Sequence, residues 1–294
     1  MMSAKQDTSN GMITGCAFCG AEGDDIQLMT CAACKSARYC SVACQRNHWP
    51  KHKKACKMRA AELRDEILFK QPEGTHLGDC PICFLPIPND PNGSVYHPCC
   101  GKIVCRGCLC ANVAHEMKDR LEHTCPFCRA GLLGDSKQKM MKRIQANDPS
   151  AMCQMGMILS REGKYEKAFE YSSKAAELGH ANAHYVLSEM YWKGQGVEKD
   201  EKKEVYHLEE AAIMGHNEAR FNLGAYETRR GRVERAVKHL VIAANLGDDK
   251  SMQELKGFYA DGDMTKEAFD STLRAYQAAV HATKSPQREA VKHH

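Results

Sequence analysis

The chain has 294 residues, of which 43% are hydrophobic and 27% are charged, a composition typical of globular proteins and unlike that of disordered chains or fibres. No apolar run approaches the length that a bilayer requires, and the first ten residues contain no hydrophobic core of a signal peptide. We therefore expect an intracellular protein, cytoplasmic or nuclear. Thiols stay reduced there, so seventeen cysteines indicate metal binding rather than disulfides.

The net charge of +4 counts every cysteine as a neutral thiol. If fifteen of them bind four zinc ions as thiolates, the net charge changes by about −7 and becomes about −3. The apparent basicity therefore gives little support to a nucleic-acid partner. The basic run from Lys51 to Arg59 is better explained as a solvated helix face.

The positions of the cysteines divide the chain. All but Cys153 lie between Cys16 and Cys128, and the rest of the C-terminal half is rich in Ala, Leu, Tyr, Glu and Lys. The predicted organisation is a disordered N-terminus (1–14), a first finger (15–57), a helical linker (58–78), a second finger (79–132), a linker (133–147), helical repeats (148–283) and a tail (284–294).

The first finger contains eight candidate zinc ligands in the order Cys16-x2-Cys19-x11-Cys31-x2-Cys34-x5-Cys40-x3-Cys44-x7-His52-x3-Cys56. Zinc prefers four such ligands in a tetrahedron, so eight of them fill two closed structural sites. The series resembles the MYND zinc finger, including the aromatic-Cys step Tyr39-Cys40. That resemblance implies interleaved ligands, with one zinc on Cys16, Cys19, Cys40 and Cys44 and the other on Cys31, Cys34, His52 and Cys56. It also implies a peptide-binding platform.

His48 competes with His52 for the histidine position of the first finger. Only His52 has the one-turn spacing to Cys56 that puts both side chains on the same helical face. We therefore expect His48 to be a surface residue.

The second finger contains cysteines in four successive pairs: Cys80 and Cys83, Cys99 and Cys100, Cys105 and Cys108, Cys125 and Cys128. This order resembles the RING finger, which implies that the first and third pairs bind one zinc and the second and fourth pairs bind another. The usual histidine position aligns with Lys102, which does not readily bind zinc. For the second pair, Cys99 with Cys100 fits best, and His97 with Cys100 is the main alternative. Cys110 is left over.

The RING resemblance also implies a function. Such domains in ubiquitin ligases bind a charged ubiquitin-conjugating enzyme and hold its thioester in a reactive pose, without a nucleophile of their own. Ile82 matches the apolar contact to the conjugating enzyme, and Pro126 matches the proline that borders the same groove. Arg129 occupies the position of the cation that bridges enzyme and ubiquitin.

The C-terminal half contains an internal repeat with spacings of 32, 36 and 32 residues. Equivalent positions include Ala151, Ala183, Ala219 and Ser251, and stop glycines follow the second helix of three units. The pattern resembles SEL-like repeats, relatives of the tetratricopeptide repeat. It predicts about four helical hairpins stacked into a solenoid, with a surface for protein partners.

We thus expect small zinc-stabilised α+β fingers, MYND followed by a cross-braced RING, and then an all-α solenoid of helical hairpins. The expected cofactor is zinc, about four ions. The leading hypothesis is a RING-type ubiquitin ligase, whose partners are a ubiquitin-conjugating enzyme and a ubiquitination substrate. The alternative is a non-enzymatic scaffold for protein interactions.

Overall fold

The computed structural model describes residues 15–23, 26–90, 92–131 and 135–291. The predicted disordered N-terminus, residues 1–14, lies outside the described residues. The chain divides into two compact units, Met1–Leu68 and Phe69–His294.

The first unit is a two-stranded sheet followed by a long helix. Strands β1 (Met29–Thr30) and β2 (Arg38–Tyr39) are antiparallel, with Met29 opposite Tyr39. Helix α1 covers Val42–Leu68 and thus continues through most of the region predicted as a separate linker. Arg59 supports this continuation, because its guanidinium pairs with both Glu62 and Glu66 at 3.0 Å on the helix surface.

The second unit begins with an irregular segment that leads into the second finger. Strands β3 (Ser94–His97) and β4 (Lys102–Cys105) form an antiparallel hairpin, and helix α2 (Arg106–Lys118) follows at once. The core of this finger is small. Ile87 and Val104 are buried in it together with Cys80 and Cys105.

Residues 69–78 are not helical, although the sequence analysis placed them in a helical linker. Within the second unit they lie along the repeats, where the His76 N–H donates to the Gly215 carbonyl at 3.1 Å. Farther along, the Asn89 amide donates to the Asp248 carboxylate at 2.9 Å. These long-range hydrogen bonds replace those that a continued helix would make.

The rest of the second unit is helical. Helix α3 covers Ser136–Gln145, and four helical hairpins follow: α4 (Pro149–Arg161) with α5 (Tyr165–Glu177), α6 (Ala181–Lys193) with α7 (Glu201–Ile213), α8 (Asn217–Arg229) with α9 (Val233–Asn245), and α10 (Asp249–Ala260) with α11 (Lys266–Ala282). A short helix, α12 (Pro286–Val291), ends the described chain.

The repeat positions recognised in the sequence form the core of the solenoid. The small residues at the first position of each unit have no solvent exposure, and the larger residues four positions later are also buried. They are Ala151, Ala183, Ala219 and Ser251, and Met155, Leu187, Leu223 and Leu255. The stop glycines Gly179, Gly215 and Gly247 have φ angles of +77°, +82° and +84°, which glycine adopts without steric cost.

Each hairpin starts at an equivalent capping residue. Asp148 and Asp248 cap their helices through carboxylate oxygens, and two histidines occupy the corresponding places in the middle repeats. Nδ1 of His180 accepts from the Ala183 N–H and Nδ1 of His216 from the Ala219 N–H, both at 3.3 Å. This explains their repeated position, since a neutral imidazole here performs the capping role of an aspartate.

The segments predicted as a linker and a tail both contain packed helices. Asp135 caps α3 by accepting from two backbone N–H groups, and Met140 of α3 is buried in the core of the first two hairpins. Helix α12 packs against α2 of the second finger. Neither segment carries the repeat pattern, so the periodicity of the sequence contains no signal for these contacts.

Gly156 lies where α4 and α5 approach most closely. A Cβ at this position would lie 2.6 Å from Oγ of Ser172 and 3.2 Å from the backbone oxygen of Ala168. We expect Gly156→Ala to destabilise the protein by about 1–3 kcal/mol through overpacking. The matched control is Gly257→Ala on the exposed face of α10, which meets no atom within 4 Å and should stabilise by about 0.5–1 kcal/mol. Urea unfolding measures the change in the free energy of unfolding for both variants, which should have opposite signs. Equal changes would contradict the close approach of α4 and α5 at Gly156.

Candidate metal centres

The cysteine-rich part of the chain forms four groups of four ligand atoms. In each group all ligand atoms lie within 4.8 Å of one another. The groups are quartet A (Cys16, Cys19, Cys40, Cys44), quartet B (Cys31, Cys34, His52, Cys56), quartet C (Cys80, Cys83, Cys105, Cys108) and quartet D (Cys99, Cys100, Cys125, Cys128). Quartets A and B belong to the first finger, and quartets C and D belong to the second.

The distances within the quartets fit tetrahedral zinc. Four sulfur atoms bound to one zinc ion at about 2.3 Å lie about 3.8 Å from one another. The Sγ–Sγ distances are 3.6 Å for Cys19 and Cys40, 3.8 Å for Cys31 and Cys56, and between 3.5 and 3.8 Å within the second finger. A disulfide would bring them to about 2.05 Å. The residues therefore fit about four zinc ions.

In quartet B the histidine ligand comes from α1. Nε2 of His52 lies 3.4 Å from Sγ of Cys34, and all four members of the quartet are buried. His48, one turn earlier, is not in the quartet. Its Nδ1 instead forms a hydrogen bond with the hydroxyl of Tyr39 at 3.1 Å, and its ring stacks on His52 with centroids 5.5 Å apart. His48 thus supports the orientation of the ring that faces the sulfurs.

Quartet A shows why the thiols need a cation. The backbone amides of Cys19 and Cys40 donate to Cys16 and lower the pKa of its thiol to about 6. Hydrogen bonds with Cys19 and Cys44 raise the pKa of Cys40 to about 12. One thiolate forms readily while its neighbour stays protonated, because the neighbour's thiol hydrogen-bonds to the surrounding sulfurs and a second sulfur anion at this spacing would be repelled. A divalent cation removes that repulsion and holds all four as thiolates.

Quartet C combines the first and third cysteine pairs of the second finger. Cys80 precedes the hairpin, and Cys105 ends β4 with its N–H donating to Sγ of Cys80 at 3.5 Å. The Sγ atoms of Cys83 and Cys105 lie 3.8 Å apart. The first residues of α2 bring Cys108 to the same point, so the start of this helix is fixed by the site.

Quartet D contains both adjacent cysteines of the β3–β4 turn. Sγ of Cys100 lies 3.8 Å from Cys125, and Sγ of Cys99 lies 3.5 Å from Cys128. The turn bends sharply because Gly101 has a φ of +70°, with its N–H donating to the His97 carbonyl at 2.8 Å. His97 is buried outside the quartet, and its Nε2 has no hydrogen-bond partner in the described structure. Of the two alternatives for this site, the structure brings Cys99 and Cys100 together.

Of the five Cys-x2-Cys segments, Cys105-x2-Cys108 leads into α2. The other four share one backbone turn, which was not expected from the sequence. In each, the residue after the second cysteine donates its N–H to the carbonyl of the first cysteine at 2.9–3.0 Å and has a positive φ. These residues are Gly20, Lys35, Phe84 and Arg129. Only Gly20 belongs to a residue type that commonly adopts this left-handed conformation, so residue type gives no signal at the other three positions.

The three predicted partner-binding residues lie on the second finger. Ile82 is half-buried and packs against the core around Cys80, while Pro126 is also half-buried. Arg129 is exposed, and its Nη1 donates to Oδ1 of Asn112 on α2 at 3.0 Å. Two aromatic rings in the same turns face solvent: Phe84 is 77% exposed and Phe127 is 43% exposed.

Family models match the parts of the chain whose geometry is described above. The MYND finger model matches residues 16–56, which contain quartets A and B. The Sel1 repeat model matches residues 149–180, 181–216 and 217–248, which contain the first three hairpins. The chain carries a MYND finger and Sel1 repeats. The fourth hairpin lies beyond the matched residues, and the RING-type interpretation of residues 79–132 stays a prediction.

Curated relatives resemble separate parts of the chain. The mouse DAP3-binding cell death enhancer 1 is 25% identical over 172 residues, which is 45% of this chain and 34% of that protein. Human histone-lysine N-methyltransferase SMYD3 is 41% identical over 49 residues, 17% of this chain and 10% of the enzyme. The Tudor domain-containing protein 1 of Oryzias latipes is 34% identical over 62 residues, 21% of this chain and 5% of its own. The chain therefore spans about a third or less of the length of these relatives.

A solved Sel1 repeat protein from Oxalobacter formigenes aligns with 49% of this chain and 64% of its own, at 28% identity and a TM-score of 0.42.

MYND fingers and Sel1 repeats are protein-interaction modules, so the protein is a zinc-binding protein with surfaces for other proteins. In the part of the chain that the structure describes, no helix is long and apolar enough to cross a bilayer.

Proposed function

We propose that the second finger is a RING-type domain that recruits a ubiquitin-conjugating enzyme, while the MYND finger and the Sel1 repeats bind the protein to be modified. The observation that carries this proposal is the cross-braced pairing of the cysteines. The first and third pairs meet in quartet C, and the second and fourth pairs meet in quartet D. Such pairing ties two distant loops into one rigid surface, which is what a docking site for a folded enzyme requires.

The surface of the two Cys-x2-Cys turns supports this proposal. Both turns have the sequence Cys-Pro-apolar-Cys, with Ile82 in one and Phe127 in the other. Exposed aromatic rings beside half-buried Ile82 and Pro126 offer apolar area that a partner buries favourably. Because zinc fixes the backbone of each turn, binding costs little conformational entropy.

Arg129 supports the proposed role of a cation that bridges enzyme and ubiquitin. Its backbone is held by the turn hydrogen bond to Cys125 at 2.9 Å, so the side chain starts from a fixed point. Its partner on α2, Asn112, is neutral, and this exposed hydrogen bond contributes only about 0.5–1.5 kcal/mol. A charged partner surface therefore competes for the guanidinium at low cost.

In this proposal the finger positions the reactants and supplies no nucleophile. The amine of a substrate lysine attacks the thioester carbonyl that joins ubiquitin to the conjugating enzyme. The carbon–sulfur bond breaks, an amide bond forms, the enzyme's sulfur leaves as a thiolate, and the amine releases a proton to water. Holding thioester and lysine together raises their effective concentration.

The test is ubiquitin transfer by the purified, zinc-loaded full chain with activating enzyme, ATP and a panel of conjugating enzymes. We expect Arg129→Gly to reduce transfer by about tenfold, equivalent to about 1.4 kcal/mol, because glycine keeps the positive φ and removes only the side chain. Ile82→Ala should also reduce transfer. The matched control is Lys35→Gly, a cation at the same turn position in the MYND finger, which should leave transfer unchanged.

Absence of transfer with every conjugating enzyme, in protein that retains its zinc, would contradict the proposal. The function would then be that of a non-enzymatic scaffold. One observation favours this second candidate: α12 packs against α2, so part of the second finger is covered by the chain itself.

A further inference from the structure

Arg288 of α12 is a buried cation at the end of the chain. It is only 7% exposed, although it lies in a segment whose sequence predicts a tail. Its Nη1 donates to the carbonyls of Pro86 and Thr283, both at 2.7 Å. Its Nη2 donates to the carbonyl of Leu85 at 3.1 Å and lies 3.3 Å from Sγ of Cys83. One guanidinium thus holds both the loop after the first cysteine pair and a ligand of quartet C.

Gly107 shows that α12 fits closely against the second finger. A Cβ on Gly107 would lie 2.8 Å from both the backbone nitrogen and Cγ of Arg288. Gly107 is the second residue of α2, directly between the quartet C ligands Cys105 and Cys108. The backbone of α12 therefore approaches the zinc-binding end of α2 to a distance that only glycine allows.

Electrostatics explains why a cation is buried here. Burying an isolated guanidinium costs several kcal/mol, so it needs compensating negative charge. The Arg288 guanidinium donates to three carbonyl oxygens and lies against the sulfurs of Cys83 and Cys105, with no carboxylate among those partners. Four thiolates around one zinc ion carry a net charge of about −2. Quartet C with zinc therefore supplies the charge that stabilises Arg288, and Arg288 neutralises part of the charge on the quartet.

We propose that Arg288 is a positioning residue of the second finger, which holds Cys83 and the loop of Leu85 and Pro86 and thereby slows the loss of zinc from quartet C. Hydrogen bonds to metal ligands commonly change metal affinity by about tenfold to a hundredfold. The guanidinium also withdraws electron density from the Cys83 thiolate and shields one side of it. This inference does not depend on ubiquitin transfer, because it concerns the metal site alone.

The first measurement is zinc release from the full chain to a chromophoric chelator. We expect Arg288→Ala to speed the release of one of about four zinc ions by at least about tenfold and to leave the other ions at their wild-type rates. Gly107→Ala, which pushes α12 away without removing the cation, should have the same effect on the same ion. The matched control is Arg274→Ala, an exposed arginine on α11. Wild-type release from Arg288→Ala, or equal acceleration of all ions, would overturn the proposal.

The second measurement is alkylation of individual cysteines, mapped by mass spectrometry. Cys83 and Cys128 are the second cysteines of matching turns in the same finger, and only Cys83 touches Arg288. We expect Arg288→Ala to increase labelling of Cys83 and to leave Cys128 unchanged. Equal increases at both cysteines would indicate general unfolding of the finger and would overturn the specific role of Arg288.

Discussion

Removal of zinc is expected to unfold both fingers and to leave the Sel1 repeats helical. The fingers have very small cores: apart from candidate zinc ligands, the MYND finger core buries Ala37 and Tyr39, and the second finger core buries Ile87 and Val104. Structural zinc contributes on the order of 10–16 kcal/mol per site in small fingers, far more than this apolar area provides. Far-UV circular dichroism and proteolysis after chelation measure the outcome. Resistance of both fingers to proteolysis after complete zinc removal would contradict it.

A pair of histidines gives the sharpest version of this prediction. His52→Ala removes a ligand 3.4 Å from Cys34 Sγ, so we expect the variant to lose about one zinc ion to a competing chelator. His48→Ala removes a ring of the same kind one turn earlier on α1, which bonds Tyr39 instead. That control should keep the full zinc content. Native mass spectrometry counts the ions, and equal retention by the two variants would disprove the assignment of His52.

Acid is expected to destabilise the Sel1 repeats. His239 of α9 has no solvent exposure, and burial, together with the charges of Arg220 and Arg235, lowers its pKa to about 3. Its Nδ1 lies 3.4 Å from Nη1 of Arg220, which requires the neutral ring as acceptor, and the ring of Phe69 packs 4.7 Å away. A protonated His239 would face two guanidinium groups in a fully buried site.

The direction of the pH effect follows from the linkage between proton binding and folding stability. Above pH 7 the imidazole is neutral in both the folded and the unfolded chain, so His239 does not change the stability with pH. As the pH falls below the unfolded pKa of about 6.5, only the unfolded chain takes up the proton. At pH 5 this proton uptake lowers the free energy of unfolding by about 2 kcal/mol through His239. His216, stacked between His76 at 4.1 Å and Tyr185 at 4.5 Å, adds to it because burial also lowers its pKa.

The variant that checks this is His239→Gln, which keeps an acceptor for Arg220 and does not titrate. We expect its stability to fall by about 2 kcal/mol less than that of the wild type between pH 7 and pH 5. His281→Gln, at an exposed position on α11, is the control and should follow the wild type. Urea unfolding followed by helical circular dichroism gives the free energies. If His239→Gln loses as much stability in acid as the wild type, buried neutral histidine is not the cause.

The features that can be predicted from the sequence are those that depend on local spacing. A Cys-x2-Cys pair forms one turn, and His52 and Cys56 lie one helical turn apart, so their convergence needs little information from the rest of the chain. The repeat period likewise predicted the stacked helical hairpins, because each hairpin meets the same neighbours. The predicted linker and tail carry no such pattern, since α3 and α12 are held by contacts with other segments rather than by their own periodicity.

The histidines of the repeats show the same limit. His180 and His216 occupy equivalent positions of the repeat, each directly after a stop glycine. The hydrogen bonds of Nδ1 show that these histidines cap the second and third hairpins, as Asp148 and Asp248 cap the first and fourth. Side-chain type alone did not indicate it, because histidine is not among the preferred capping residues.

By itself the sequence determined the zinc-finger and repeat character of this protein, because ligand spacing and a period of 32 to 36 residues are properties of neighbouring positions. Only the tertiary structure decided that Cys99 joins Cys100 while His97 stays outside, and that the end of the chain returns to the second finger. Arg288 reaches Cys83 across 205 residues. Contacts of that range depend on packing and on the compensation of buried charge, which no local pattern encodes.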